Sequence, residues 1–462
     1  MQHTDSNNES KNGKDPPHRN HEETSARGAS APSGISELQM QSTEVGEIAE
    51  MPDYENLSTS AVLHYCKHKI LRPYLRLLAV MGLRPISSDD SDHLSRYCIL
   101  SNLHTLQVTV FMCIGYILQY MACLRRDKGF CYKRIPLETE ILLNASAAVY
   151  EVNCFGNLLF SYLIPSVLHL LAYLYTIYLF RIKENEQLQN LMERAFLLSS
   201  SPVNRRNQKS LVRILWFFIA LSVMWMILTL ITVNLMMAEG NVLLQWIEPS
   251  PYHVKITLKV FLIVCTLWHD MVQGTIITSY CLQGQLLMAH LYFLRGKLLH
   301  HTLRPIDWMR EICEFKKLLK YLNDDLGPAV SVFTVVNLSW AGAGIFWLFW
   351  QKNSHDMHNC SVSYISIANV SLWTLISLAP FVQAARLTTA CSMIQSIGHE
   401  VRVRPFVYQS TPGEDLDTIL LYTSSLRMSA RLFRVPITGK HFCLLFTAGS
   451  ITVLILGQCQ LL

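Results

Sequence analysis

Four side chains within one short stretch, Trp268, His269, Asp270 and Gln273, are the most polar group in any apolar segment of this 462-residue chain. An ionisable Asp beside a His inside a hydrophobic helix is costly unless it faces a cavity or a partner. Two readings fit. The group is the wall of a ligand pocket, or it is an interhelical hydrogen-bond knot to which Asn337 or Asn369 contributes. The residue types leave both open. Other polar and aromatic residues fall at a comparable depth of neighbouring apolar segments: Tyr150, Asn153 and Asn157, then Asn337 and Trp340, then Tyr364 and Asn369. A mostly apolar chamber with a few amides and hydroxyls suits a small uncharged or weakly polar ligand. Each of these residues taken singly also has a plain packing role.

Reaction chemistry finds no footing. The chain has no GxGxxG opening a helix, no GxxxxGKS and no HExxH. The neighbours His300 and His301 lie in a basic stretch and read as surface residues. Thirteen cysteines contain no CxxC pair, which argues against a zinc site or a disulfide framework. No enzyme activity, cofactor or metal is expected. One more polar group stands out, the amide of Gln458 near the end of the apolar stretch 438–462. Such a group snorkels to the interface or lines a water-filled path.

The elements that must position these groups are membrane helices. Half of the residues are hydrophobic and 16% are charged, against ~25% charged in a soluble domain. The apolar residues come in blocks long enough to cross a bilayer, for which ~20 residues suffice. The pattern predicts an all-α membrane protein with seven spans. Residues 1–60 are a polar tail too poor in apolar surface to fold, with no cleavable signal. Residues 61–97 give a short basic amphipathic segment suited to an anionic leaflet, with Leu71, Leu75, Leu78 and Val80 on its apolar face. Residues 98–290 hold spans one to four, and the second, expected from Val149 to Phe180, is kinked at Pro165. Helical character runs on past the fourth span into a charged segment, 291–327, with Trp308, Ile312, Phe315, Leu318, Leu319 and Leu322 near one face. Spans five and six occupy 328–389. A polar segment, 390–437, becomes helical again near its end, with Ile419 to Leu432 interleaved by Arg427, Arg431 and Arg434. Residues 438–462 are the seventh span.

Loop charge sets the orientation. The loops after spans two, four and six are rich in Lys and Arg, and those after spans three and five are nearly empty of them. The N-terminus is therefore expected in the cytoplasm and the C-terminus outside, opposite to a G-protein-coupled receptor. The sequons at Asn144 and Asn359 then lie outside as glycosylation sites, and the one at Asn56 stays silent inside. One loop breaks the rule: Arg125, Arg126, Lys128, Lys133 and Arg134 fall on the expected outer side. Cys131 and Cys360 are a possible extracellular disulfide, with Cys123 and Cys154 as rival partners.

This layout resembles the insect gustatory receptors, which belong with the odorant receptors in one superfamily. The over-long fourth helix, the charged helices before spans five and seven, and LNDDLGPAV at 322–330 all carry the resemblance. The family's C-terminal signature is Thr-Tyr, five mostly hydrophobic residues, then Gln-Phe. Here the frame reads Ile451-Thr452, VLILG, Gln458-Cys459, which keeps the Gln but neither Thr-Tyr nor the Phe. The resemblance implies a tastant-gated, non-selective cation channel in the plasma membrane, homo- or hetero-tetrameric. It implies that seventh spans line a central pore, with Gln458 at the gate, Cys459 in the place of the family's aromatic, and Leu454, Ile455 and Leu461 in the constriction. The charged helices would anchor the tetramer, and small-molecule tastants would bind among spans two to six. The alternative is a receptor-like membrane protein of the same fold with a non-taste role.

Overall fold

The computed structural model describes residues 59–85, 94–127, 129–130, 132–134, 150–152, 159–183, 187–198, 205–239, 251–300, 303–353, 360–403 and 413–441, with 444 and 448. The chain divides into two units, Met1–Asn56 and Leu57–Leu462, and the described residues belong to the second. Residues 1–58 of the expected polar tail, the sequon residues Asn144 and Asn359, Cys131 and Cys154, and nearly all of the expected seventh span lie outside the described residues.

The second unit is helical. Helices α1 (Thr59–Cys66) and α2 (Arg72–Val80) are joined by a π turn and precede α3 (Leu94–Met121). Then come α4 (Ile164–Ile177), α5 (Gln187–Leu198), α6 (Arg205–Glu239) and the 48-residue α7 (Tyr252–Leu299). Helix α8 (Pro305–Tyr321) passes through a π turn, Leu322–Leu326, into α9 (Gly327–Asn353). Helices α10 (Cys360–Gln395), α11 (Ile397–Val403) and α12 (Gly413–Ser425) follow. Among the described residues, six stretches are long and apolar enough to cross a membrane: Ile99–Met121, Ile164–Ile182, Lys209–Met237, Tyr252–Leu299, Pro305–Phe349 and Tyr364–Gln395.

Their surfaces are those of helices solvated by lipid. On α3, Ile99, Leu103, Leu106, Val110, Ile114 and Ile117 recur every three or four residues and all face outward, exposed. The polar Ser101 and the small Gly115 face inward. An apolar stripe turned away from the core is the reverse of a soluble amphipathic helix. The protein is a multi-pass membrane protein. Helix α7 is its axis: a nearly unbroken run from His269 to Leu291 is buried, flanked by α3, α6, α9 and α10. The close approach of α3 depends on Gly115, where a Cβ would lie 2.8 Å from the His269 ring and 2.9 Å from Cys265.

Three short antiparallel strand pairs complete the described structure. Strands β1 (Leu124–Arg125) and β2 (Gly129–Phe130) pair directly after α3. Strand β3 (Tyr132–Arg134) pairs with β4 (Tyr150–Val152). The helix expected from Val149 is therefore a strand at its start, where Tyr150-Glu151-Val152 finds a backbone partner. Among the described residues of that segment, helix runs from a π turn at Leu159–Leu163. Pro165 stands where that π turn passes into α4.

Strands β5 (Arg431–Leu432) and β6 (Val435–Pro436) replace the helix expected through Arg427, Arg431 and Arg434. Phe433 and Arg434 form the turn at φ 54 and 61. Tertiary bonds select it: Asn323 donates from Nδ2 to Ser429 O (3.0 Å) and accepts from the Arg431 N–H (2.9 Å). The Phe433 N–H donates to Ser331 Oγ (3.1 Å) and the Ala430 N–H to Thr388 Oγ1 (3.1 Å). The same π turn is tied to the end of the α4 segment, where Lys183 Nζ lies 2.6 Å from Asp325 Oδ1. That contact holds the Lys183 ammonium above its ordinary pKa range. The charged helix α8 packs as its spacing predicts, with Trp308, Ile312, Phe315 and Leu319 buried.

Candidate ligand chamber

One end of the bundle is where α3, α6 and α9 finish and α7 and α10 begin. The β1–β2 turn enters the bundle there and carries Arg126 with it. Arg126 is buried, and its Nη1 donates to Asp270 Oδ2 at 3.0 Å while Nη2 donates to the Thr266 carbonyl at 3.2 Å. Its guanidinium carbon stands 5.8 Å from the ring centroid of Trp340 and 5.7 Å from that of Trp373. Gln273 donates from Nε2 to Asp270 Oδ1 at 3.2 Å. The backbone of Arg126 is held as well: its carbonyl accepts from Asn369 Nδ2 (2.6 Å) and from Trp373 Nε1 (3.2 Å). Neighbouring Arg125 closes the turn by a two-point contact with Asp127, at 3.0 and 2.7 Å.

The sequence alone therefore locates four of the six residues Arg126, Asp270, Gln273, Trp340, Asn369 and Trp373. Asp270, Gln273, Trp340 and Asn369 come together as one cluster on three helices. What joins them is Arg126, which sequence reading leaves in a loop. Its signal was present as the loop that breaks the charge rule. Trp373 was missed too, although it lies one helical turn after Asn369. It packs against Trp340 (4.9 Å between ring centroids) and Trp225 (5.9 Å), whose indole N–H donates to Leu372 O.

His269 points into a second, adjoining cluster. Its ring stacks on Tyr116 at 4.2 Å, and its two nitrogens lie 3.0 Å from Gln119 Nε2 and 3.1 Å from the Met112 carbonyl. Tyr116 Oη in turn lies 2.6 Å from His169 Nδ1, and the His169 ring meets Phe333 edge-on. Trp268 is set apart, edge-on to Phe111, with no partner for its buried indole nitrogen among the described residues. Asn337 is fully buried, and neither atom of its amide has a partner among the described residues. Tyr364 is 68% exposed and joins neither cluster. Tyr150 lies in β4. Asn153, Asn157, Asn144, Asn359, Leu454, Ile455, Gln458, Cys459 and Leu461 fall outside the described residues.

A cavity of ≈ 260 Å³ lies toward the opposite end, between α2 and the end of the α4 segment, lined in part by Tyr74, Arg84, Phe180 and Arg181. Arg181 there donates to Thr105, to Ser101 Oγ (2.9 Å) and to Asn102 Oδ1 (2.6 Å), which ties the start of α3 to the end of that segment.

Chemically, the first cluster recognises a cation and the second offers aromatic and imidazole surfaces. No group of three or more His, Cys, Asp or Glu among the described residues is placed to hold a metal.

No protein-family model matches this chain, and neither does any curated protein. The fold itself is shared with solved structures. The structure of the insect olfactory receptor OR5 from Machilis hrabei in complex with eugenol is 10% identical and matches at a TM-score of 0.53, over 87% of this chain and 99% of that one. A second structure of the same receptor is 9% identical with a TM-score of 0.56, over 86% and 99%. This chain has the fold of an insect olfactory receptor. The match covers 99% of that receptor's chain. At such low identity it concerns the fold alone.

Proposed function

We propose that this chain is a chemoreceptor, a ligand-gated non-selective cation channel assembled as a tetramer in the plasma membrane. Its role is gustatory and its ligands are small-molecule tastants. It has seven spans, the seventh being 438–462, with the N-terminus inside and the C-terminus outside. One observation supports this best. A buried polar and aromatic group lies inside a bundle whose fold, over 87% of this chain, is that of a receptor solved with eugenol bound. Ligand bound among α3, α4, α7, α9 and α10 biases the packing of α9 and α10, and these release the pore helix. A ligand can do so only by binding the open state more tightly than the closed one.

Gln458 lines the gate in this reading, with Cys459, Leu454, Ile455 and Leu461 around it. Patch-clamp recording of cells expressing the full chain tests it. Candidate tastants evoke cation currents, and Gln458→Ala alters conductance or gating while surface expression is unchanged. Native currents in that variant remove the pore assignment.

A second reading is a protein of the same fold with a non-taste role. It is favoured by Ile451-Thr452 and Cys459, which stand where the gustatory signature has Thr-Tyr and Phe. Transcript in taste neurons supports the first reading, and its restriction to other tissue supports the second.

A further inference from the structure

The clustered residues have the parts with which proteins recognise organic cations, and the chain supplies the cation itself. Two indole faces, Trp340 and Trp373, stand within 6 Å of one guanidinium carbon, the range at which an aromatic face attracts a cation. A carboxylate oxygen of Asp270 is 3.0 Å from Arg126 Nη1, with side-chain exposures of 6% for Arg126 and 2% for Asp270. A backbone carbonyl, Thr266 O, takes a further N–H. The site also has capacity left over. Gln273 Oε1 is buried without a partner among the described residues.

The cation arrives on a hairpin, not on a helix. Cys123, at φ 49, turns the chain out of α3, and Gly129, at φ 85, begins the return strand. The hairpin is pinned by the two bonds to the Arg126 carbonyl and by Arg125 with Asp127. A buried ion pair is on average no more stabilising than apolar side chains of the same volume. Stability alone is thus a weak reason to send an arginine between two tryptophans.

We propose that Trp340, Trp373 and Asp270 form a recognition site for guanidinium-type organic cations, and that Arg126 is its tethered occupant. Free cations of this class enter by exchange with the hairpin. The site is independent of the channel reading, because it requires only binding.

Two measurements on the full purified chain in detergent test it without any current. In the first, Arg126→Ala unfolds several degrees below the native chain. Methylguanidinium at about 10 mM restores at least half of that loss by mass action, at matched ionic strength, whereas NaCl does not. The restoration disappears in Arg126→Ala combined with Asp270→Asn, and the native chain shows no comparable shift. Equal effects of methylguanidinium and NaCl, or equal restoration of the double variant, overturn the proposal. In the second, Arg126→Lys keeps the charge and places an amine in the site. That amine resists an amine-reactive label and becomes labelled when methylguanidinium is added, as read by peptide mass spectrometry. Labelling that is rapid from the start, or unchanged by methylguanidinium, overturns the exchange.

Discussion

Removing the carboxylate of Asp270 leaves the Arg126 guanidinium buried with no counter-charge, because Asp270 is the acid paired with it. Breaking one side of a buried pair costs ~3–5 kcal/mol, whereas replacing both partners by apolar groups is often neutral. Asp270→Ala is therefore expected to lower the stability of the purified chain by about that amount. Arg126→Met combined with Asp270→Leu is expected to lose much less. Chemical denaturation of the native chain, Arg126→Met, Asp270→Leu and their combination in one detergent yields the coupling, and additive losses would show that the pair is not linked. The sequence makes Asp270 legible because an acid in an apolar helix needs a partner. It does not make the partner legible. Arg126 is 144 residues away, and nothing in a loop's composition says that it turns inward. Its only mark is an excess of cations in a loop that charge counting expects on the outer side. Two of those five, Arg125 and Arg126, prove to be paired with acids inside the fold.

Among the elements, the charged helices before α9 and after α10 divide along the same line. Helix α8 is readable because its buried residues repeat at helical spacing. Trp308 even finds a carbonyl for its indole N–H, Leu294 O at 3.2 Å. Residues 426–436 carry a similar spacing, yet they form a hairpin. There the decision is made by partners that local periodicity cannot see: Asn323, Ser331 and Thr388, all remote in sequence. Asn323 serves the hairpin twice, as donor and as acceptor. Each bond contributes ~1 kcal/mol net, and a buried group left unpaired costs ~1–3 kcal/mol. Asn323→Ala should therefore release the hairpin locally, seen as faster amide exchange at Arg431 with global unfolding little changed. Asn323→Asp keeps the acceptor for the Arg431 N–H and loses the donor to Ser429, so it should show an intermediate effect. Exchange at Arg431 unaltered in Asn323→Ala would mean that Ser331 and Thr388 hold the turn unaided.

For the whole molecule, lipid makes much of the architecture legible. A backbone in hydrocarbon must satisfy its own hydrogen bonds, so apolar segments of this length become helices, and six of the expected spans are present as such. Composition says less about how those helices pack, since lipid-facing and core-facing residues are both apolar. Helix α3 shows it: Val108, Met112 and Leu118 are buried while Leu106, Val110 and Ile117 are exposed, and all six are apolar. Topology remains a matter of charge and can be tested on intact cells. With seven spans and the N-terminus inside, an epitope added after Leu462 is labelled without permeabilisation, and one added before Met1 only after it. Asn144 and Asn359 then carry glycans and Asn56 does not. The native chain should migrate faster after endoglycosidase treatment, and Asn144→Gln with Asn359→Gln should migrate there untreated. Both epitopes on the same face would leave 438–462 on one side of the membrane. That outcome removes the seventh span, and with it the placement of Gln458 in a pore.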